Sequence, residues 1–222
     1  GKLAKFDHLL QAIEDDKTRR CQMLNKIREC YLHIDRYPSI KTKVSVAAKT
    51  LSNTMAAAIE TAMSCNKIPS EATHTAEFVI LINNLFDSFN SHKKPGPRTT
   101  LLNLGISNKT RHISFWNQII KVIEEWTFRD RKDGWIKKYM LFKYGWINNI
   151  KGLKVIRQIC QNAGFEYLRT RALNQDPIEK LFSLIRQHGV GNTNPTPFQH
   201  LSALKTSVPN NLISHSNKNS NC

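Results

Sequence analysis

One glutamate near the end of the chain, Glu179, stands where two kinds of chemistry meet. It lies in Leu173-Asn174-Gln175-Asp176-Pro177-Ile178-Glu179-Lys180-Leu181-Phe182, a stretch that runs on through Ile185 to Gly189. Asp176 is an N-cap residue type, Pro177 suits a first helical position where a missing N–H removes no bond, and Glu179 stands three places after the cap. As a capping-box glutamate it would accept the Asp176 backbone N–H and favour the helix N-terminus, with no further role. As a carboxylate on the flank of a docked helix it could instead bind a divalent cation, because hard cations take oxygen ligands. Local spacing leaves both readings open. Ile178, Leu181, Phe182 and Ile185 recur at helical spacing, and Gly189 and Gly191 stop the pattern, so a helix of about three turns is predicted to carry Glu179.

Other reactive residue types are scattered. Cys21, Cys30, Cys65, Cys160 and Cys222 fall at irregular spacing without a CxxC pair, which points to free thiols in a reducing compartment. Cys30 with His33 supplies two ligands, short of a zinc site. There is no GxxxxGK[ST] loop, and Asn108-Lys109-Thr110 lacks the aspartate of a guanine-reading NKxD. Trp135, Tyr139, Phe142, Tyr144 and Trp146 are interleaved with lysines, a pattern that serves either as core anchors or as a stacking surface for unpaired bases.

Charge narrows the partners. Lysine and arginine total 33 against 17 acids, a formal net charge of +16 in 222 residues, which suits a polyanion, nucleic acid before membrane. No apolar run approaches the roughly 18 residues of a membrane span, and no signal-peptide core is visible. The chain starts at Gly1 without methionine, so a piece of something longer is expected.

The elements that must position these residues are mostly helices. Phe6, Leu9, Leu10 and Ile13, then Leu24, Ile27, Tyr31 and Ile34, predict one long helix or two collinear ones before Tyr37-Pro38-Ser39. A second helix is predicted from about Lys43, with Val44, Ala47, Ala48, Leu51, Met55, Ala58, Ile59 and Ala62 on one face. Thr73 or Thr75 should cap a third, carrying Ala76, Val79, Ile80, Ile82, Phe86 and Phe89. Further helices are expected around Ile113 to Trp126 and from Asn148 to Asn162, with Gly164 to Arg171 extended. Alternating strands are scarce, so residues 39–161 read as almost wholly α-helical. Leu201 and Leu204 suggest a short helix, and the Asn-, Ser- and Lys-rich tail beyond Val208 reads as disordered.

Three separated stretches resemble one family. Lys41-Thr42-Lys43-Val44-Ser45-Val46-Ala47-Ala48-Lys49-Thr50-Leu51-Ser52 resembles the KxKVxxAAQTLS opening of the insertion domain in P-element-like transposases, including the THAP-domain members. Thr75-Ala76-Glu77-Phe78 with Asn84-Leu85-Phe86-Asp87-Ser88-Phe89-Asn90-Ser91 resembles their TAEF…LFDSxNS helix, and residues 173–182 with Asn194-Pro195-Thr196-Pro197-Phe198-Gln199 resemble their closing segment. The resemblance implies a mainly α chain: a helical connector over residues 1–38, an all-helical GTP-binding insertion domain over 39–162, the closing helix of a split RNase H-like domain within 163–206, and a disordered tail over 207–222. It implies that Glu179 is the last catalytic carboxylate and a metal ligand, and that Lys41, Phe86, Asp87, Asn90 and Asp176 form the guanine-nucleotide pocket. GTP and Mg2+ are the implied cofactors. Transposon-end DNA and a homo-oligomer or full-length transposase are the implied partners, and the nucleus is the implied location.

The match has departures. The family's Asn-Phe-Phe-Gly after the glutamate is here Lys180-Leu181-Phe182-Ser183, and no RNase H strands precede the insertion, since residues 3–34 read as helix. The family's two-metal chemistry uses ions about 4 Å apart held by several carboxylates. The expectation is therefore a transposase piece that does not cleave DNA by itself; the alternative is a non-catalytic, domesticated remnant that binds DNA or protein through a basic helical surface.

Overall fold

His8, Leu9, Ala12 and Ile13 turn inward on the first helix, α1 (Phe6–Thr18), and a neighbouring aspartate explains why it stops there. In this computed structural model the buried Asp16 carboxylate accepts the N–H groups of Met23 and Leu24, both at 2.9 Å. The chain is folded back over α1 and Leu24 enters the core. The predicted long helix through Ile34 is thus replaced by turns and a single 3-10 turn at Glu29–Tyr31, because a side-chain acceptor offered these amides an alternative to a helical ladder. The structure describes residues 2–31, 37, 40, 43–92, 101–130, 134–137, 139–188 and 194–218, and leaves the side chains of residues 29, 176, 177 and 208–218 outside the description.

The helix predicted from Lys43 is two helices, α2 (Val44–Thr50) and α3 (Asn53–Ser64). Ser52 divides them: its hydroxyl accepts the Met55 N–H at 3.3 Å and starts α3 afresh. Asn66 at φ 55° ends α3, with Lys67 N–H on Ala62 O and Asn66 N–H on Met63 O, each at 2.9 Å. A 3-10 turn, Ser70–Ala72, runs directly into α4 (Thr73–Phe89), so neither Thr73 nor Thr75 caps it. Thr75 is buried and serves α1 instead, accepting the Lys5 N–H at 3.0 Å and meeting His8 Nδ1 at 2.7 Å.

The remaining elements are α5 (His112–Glu125), α6 (Leu141–Asn162), α7 (Asp176–Gln187) and α8 (Pro197–Lys218), with a two-stranded antiparallel hairpin, β1 (Phe128–Arg129) and β2 (Ile136–Lys137), between α5 and α6. That hairpin and an isolated bridge between Ile106 and Leu168 are the departures from an all-helical block among the described residues. The second places residues near 168 in extended form, as expected. The short helix expected at Leu201 and Leu204 extends to Lys218.

The chain divides into two compact units, Gly1–Thr170 and Arg171–Cys222. In the first, α4 serves two cores. Ala76 and Val79 join Leu9, Ile13, Met55, Ile59 and Ala62, while Leu85 joins Ile106, Trp116, Ile119, Ile123 and Ile150. Each such side chain contributes about 1.5–3 kcal/mol by leaving water. Ile82 and Phe86, predicted inward, are half-buried, and Leu85 and Ser88 take the buried face at the helix end. Buried Lys143 completes the α5 terminus, donating to Glu124 O at 2.9 Å and Trp126 O at 2.8 Å, where helix carbonyls lack partners.

His112 is fully buried, with Nε2 2.9 Å from Leu102 O and Nδ1 3.0 Å from Thr110 Oγ1. Burial depresses its pKa, opposed by the bond to Leu102 O. His8 is depressed in the same direction, by burial first and by the Lys5 charge second. A histidine with a depressed folded pKa binds its proton more readily in the unfolded chain. Its stabilisation is present above the unfolded value of about 6.5 and is lost as pH falls below that toward the folded value. Thermal melts should therefore show a lower midpoint at pH 5.5 than at pH 7.5, and His112→Gln should flatten part of that slope; a midpoint that rises on acidification contradicts the assignment.

Candidate functional site

The candidate site is built at the C-terminal end of α4. Asn90 closes the helix with its N–H shared between Phe86 O at 3.0 Å and Asp87 O at 3.1 Å. Immediately beyond, Ser91 enters a buried hydroxyl network with a segment 79 residues away. Ser91 N–H donates to Thr170 Oγ1 at 2.9 Å, Thr170 N–H donates to Ser91 Oγ at 3.0 Å, and the two hydroxyl oxygens are 2.9 Å apart. The Thr170 hydroxyl donates to Ser88 O at 3.1 Å, so its single proton is committed there and Ser91 must be the donor in the hydroxyl pair. Ser88 completes the set, its hydroxyl donating to Leu85 O at 2.7 Å and accepting Trp116 Nε1–H at 2.9 Å.

On this fixed end, Phe86 and Asn90 lie one turn apart on the same face, with Asp87 beside them. Phe86 is half-buried and, among the described residues, belongs to neither core. Asn83 orients the carboxylate: its Nδ2 donates to Asp87 Oδ2 at 3.3 Å while its Oδ1 accepts the Asn53 N–H at 3.3 Å. A phenyl ring that can stack on a purine thus stands next to a held carboxylate that can accept the N1–H and N2–H2 donors of guanine. The negative end of the helix dipole adds to the preference for a donor edge. Triphosphate charge is unsuited to this end and needs cations elsewhere; Lys41, predicted for that role, lies outside the described residues.

In the second unit, α7 starts one residue earlier than expected, with Gln175 at the cap and Pro177 in the first turn. Glu179 closes the first helical bond with its own N–H on Gln175 O at 2.9 Å. The capping-box place three residues after the cap passes to Ile178, and the Glu179 side chain is exposed. Asp176 is the first residue of α7, and its side chain lies outside the description. The apolar stripe of α7 is only partly covered: Ile185 is buried, whereas Ile178 is 57% and Phe182 46% exposed. A capping box does exist one helix later. Thr196 N–H donates to Gln199 Oε1 at 3.0 Å and Gln199 N–H to Thr196 Oγ1 at 3.3 Å, which explains the Thr-Pro-Phe-Gln wording at the start of α8.

The structure therefore brings Phe86, Asp87 and Asn90 together on α4 and places Asp176 and Glu179 on the first turn of α7. Sequence reasoning missed Asn83 and the Ser88, Ser91 and Thr170 set. The available signal was serine inside an apolar helical run, where hydroxyls usually bond to backbone. Among the described residues no group of three or more His, Cys, Asp or Glu side chains is placed to hold a metal. One exposed carboxylate fills one position of a Mg2+ shell of about six, so these residues do not hold that ion by themselves.

Comparison with known proteins gives the family. Residues 1–101 match the TNP-like, GTP-binding insertion domain, and residues 172–205 match the TNP-like, RNase H C-terminal domain. The Transposable element P transposase of Drosophila melanogaster is 30% identical over 175 residues, covering 75% of this chain. The chain belongs to the P-element-like transposase family. It spans 22% of that curated relative's length. The solved Drosophila P element transposase strand transfer complex matches with a TM-score of 0.71 and 26% identity, over 89% of this chain and 43% of that one. Phe86, Asp87 and Asn90 fall inside the insertion-domain match and Glu179 inside the RNase H match. No helix among the described residues is long and apolar enough to cross a membrane.

Thr170→Val keeps the shape of the side chain and strips the network of its central hydroxyl, leaving Ser91 N–H and Ser88 O without that partner. A buried polar group left unpaired costs about 1–3 kcal/mol. Urea unfolding should show a loss of at least that size for Thr170→Val and a smaller one for Thr170→Ser; a valine variant as stable as the parent removes the network from the account of the α4 terminus.

Proposed function

We propose that this chain binds GTP at the end of α4 and lends Glu179 to an acidic DNA-processing site whose other carboxylates lie outside these 222 residues. The observation that carries the nucleotide half is the Asn53–Asn83–Asp87 relay, which holds a carboxylate beside a half-buried phenyl ring on a helix end that cannot fray. Asp87 reads the guanine donor edge, Phe86 stacks on the base, Asn90 borders it, and Lys41 and Asp176 complete the pocket. Adenine offers a lone pair at N1 where guanine offers N–H, so the same carboxylate rejects ATP.

Two features support the second half: the exposed Glu179 side chain and the open apolar residues Ile178 and Phe182 on its helix. A helix with an uncovered apolar stripe is suited to docking on a further surface. Mg2+ bound in such a shared site would supply Lewis-acid chemistry. What this chain contributes is a carboxylate on a helix terminus, with Lys180 beside it, and no cleavage step is assigned to it alone. The +16 charge suits transposon-end DNA as partner, with the nucleus as the place of action and assembly with further transposase subunits as its context.

Titration with a fluorescent GTP analogue should show binding that ATP does not displace. Asp87→Ala should weaken it roughly ten- to hundredfold, in line with about 1.5–3 kcal/mol for a charged hydrogen bond, and Asn83→Ala should weaken it less. Absence of any guanine-nucleotide binding by the parent chain would falsify the nucleotide reading and favour a plain basic binding module.

Incubated with supercoiled plasmid and Mg2+ or Mn2+, the chain should leave the DNA intact. Robust nicking that Glu179→Gln abolishes would show that these residues hold a complete site.

A further inference from the structure

The hairpin β1–β2 and the first turns of α6 present a surface that is aromatic and cationic at once. Trp135 is 73% exposed, Tyr139 67% and Tyr144 50%, and the rings of Tyr139 and Tyr144 lie 5.2 Å apart at 42°. Beneath them runs a second series of rings, Phe78, Trp126, Phe128 and Phe142, with successive centroids 5.6, 6.3 and 5.0 Å apart. This series ties the hairpin to α4 and α6. The turn is also held, by Asp130 N–H on Trp135 O at 2.9 Å and Gly134 N–H on Asp130 O at 3.0 Å, with Gly134 at φ +71°. The exposed rings therefore stand on a fixed base.

Charge identifies what covers them. Between Phe128 and Asn162 the sequence carries nine lysines and arginines against two aspartates, and one of those, Asp130, is bridged by Lys137 at 3.1 Å. An apolar protein partner would be matched by neutral surroundings. A cationic field around exposed rings is matched by a chain that alternates flat π-faces with phosphates. A duplex keeps its base faces inside its own stack and offers this surface phosphates alone; an unpaired strand offers both.

We propose that the β1–β2 hairpin and the start of α6 bind single-stranded nucleic acid, with Trp135, Tyr139 and Tyr144 stacking on successive bases and the neighbouring lysines and arginines meeting phosphates. The proposal rests on the DNA-processing reading only for which strand is met in the cell. Its residues are separate from the nucleotide residues of α4, so the two can fail independently.

The test uses the full 222-residue chain, a labelled thymidine 20-mer and a duplex of equal length, read by fluorescence anisotropy at two salt concentrations. The single strand should bind more tightly than the duplex, with affinity falling as salt rises. Trp135→Ala, and Tyr139→Ala with Tyr144→Ala, should each weaken single-strand binding on the order of tenfold while duplex binding, GTP binding and the melting temperature hold. Trp135→Phe should retain most of the affinity. Equal affinity of parent and aromatic variants overturns the proposal, as does a sedimentation result in which the variants dissolve a dimer and leave strand binding unchanged. Strand binding that survives Asp87→Ala while GTP binding is lost marks the nucleotide site and this surface as separate.

Discussion

Three hydroxyls hold the functional end of this molecule. Ser88, Ser91 and Thr170 are each almost fully buried, and between them they satisfy the Ser88 carbonyl, the Ser91 and Thr170 amides and the indole N–H of Trp116. A helix C-terminus leaves four carbonyls without intrahelical partners, and in a core each must find a donor. Here a hydroxyl from residue 170 meets that demand. Burial makes the arrangement all-or-none, because removing one member strands several others in low dielectric. The last turn of α4 is consequently among the least able to fray, and Phe86, Asp87 and Asn90 sit on it.

The same anchoring determines how α4 divides its labour. Its first half packs with α1 and α3, its second half with α5 and α6, so one helix is the shared wall of two cores. A helix used on both sides has little surface left over. What remains at its end is the half-buried face bearing Phe86, Asp87 and Asn83. Asn83 joins that face to the start of α3 through the Asn53 amide, so the carboxylate is oriented by a bond to a different helix. Fixed donors and acceptors of this kind discriminate between bases because they do not reorganise to suit the wrong one.

Much of this was legible in the sequence, and the misses share a cause. Periodicity located α1, α3, α4, α5 and α7, and the wording of residues 41–52, 75–91 and 173–199 pointed to a family that the comparisons bear out. What failed were the places where a polar side chain bonds to the backbone. Asp16 turned residues 19–24 off a helical path, Ser52 split one predicted helix in two, and Thr75, expected as a cap, served α1 across a core. Periodicity registers which residues are apolar. It does not register which amide a carboxylate or hydroxyl will reach, since that depends on partners distant in sequence. The Ser91–Thr170 pair, 79 residues apart, is the extreme case.

Guanine recognition without a phosphate-binding loop follows from where the base would sit. A Gly-rich loop presents amides at a helix N-terminus, where the positive end of the dipole suits phosphate. The end of α4 has the opposite polarity, with outward carbonyls and a carboxylate, and repels phosphate while welcoming N–H donors. A site built there has to recognise the base first and leave the phosphates to side-chain cations at a distance. Specificity then resides in one oriented carboxylate, while affinity is spread over flexible lysines in a strongly basic chain. Such a division lets the base be read stringently even when the number of phosphates is read loosely, which is what a structural nucleotide would require and a hydrolysed one would not.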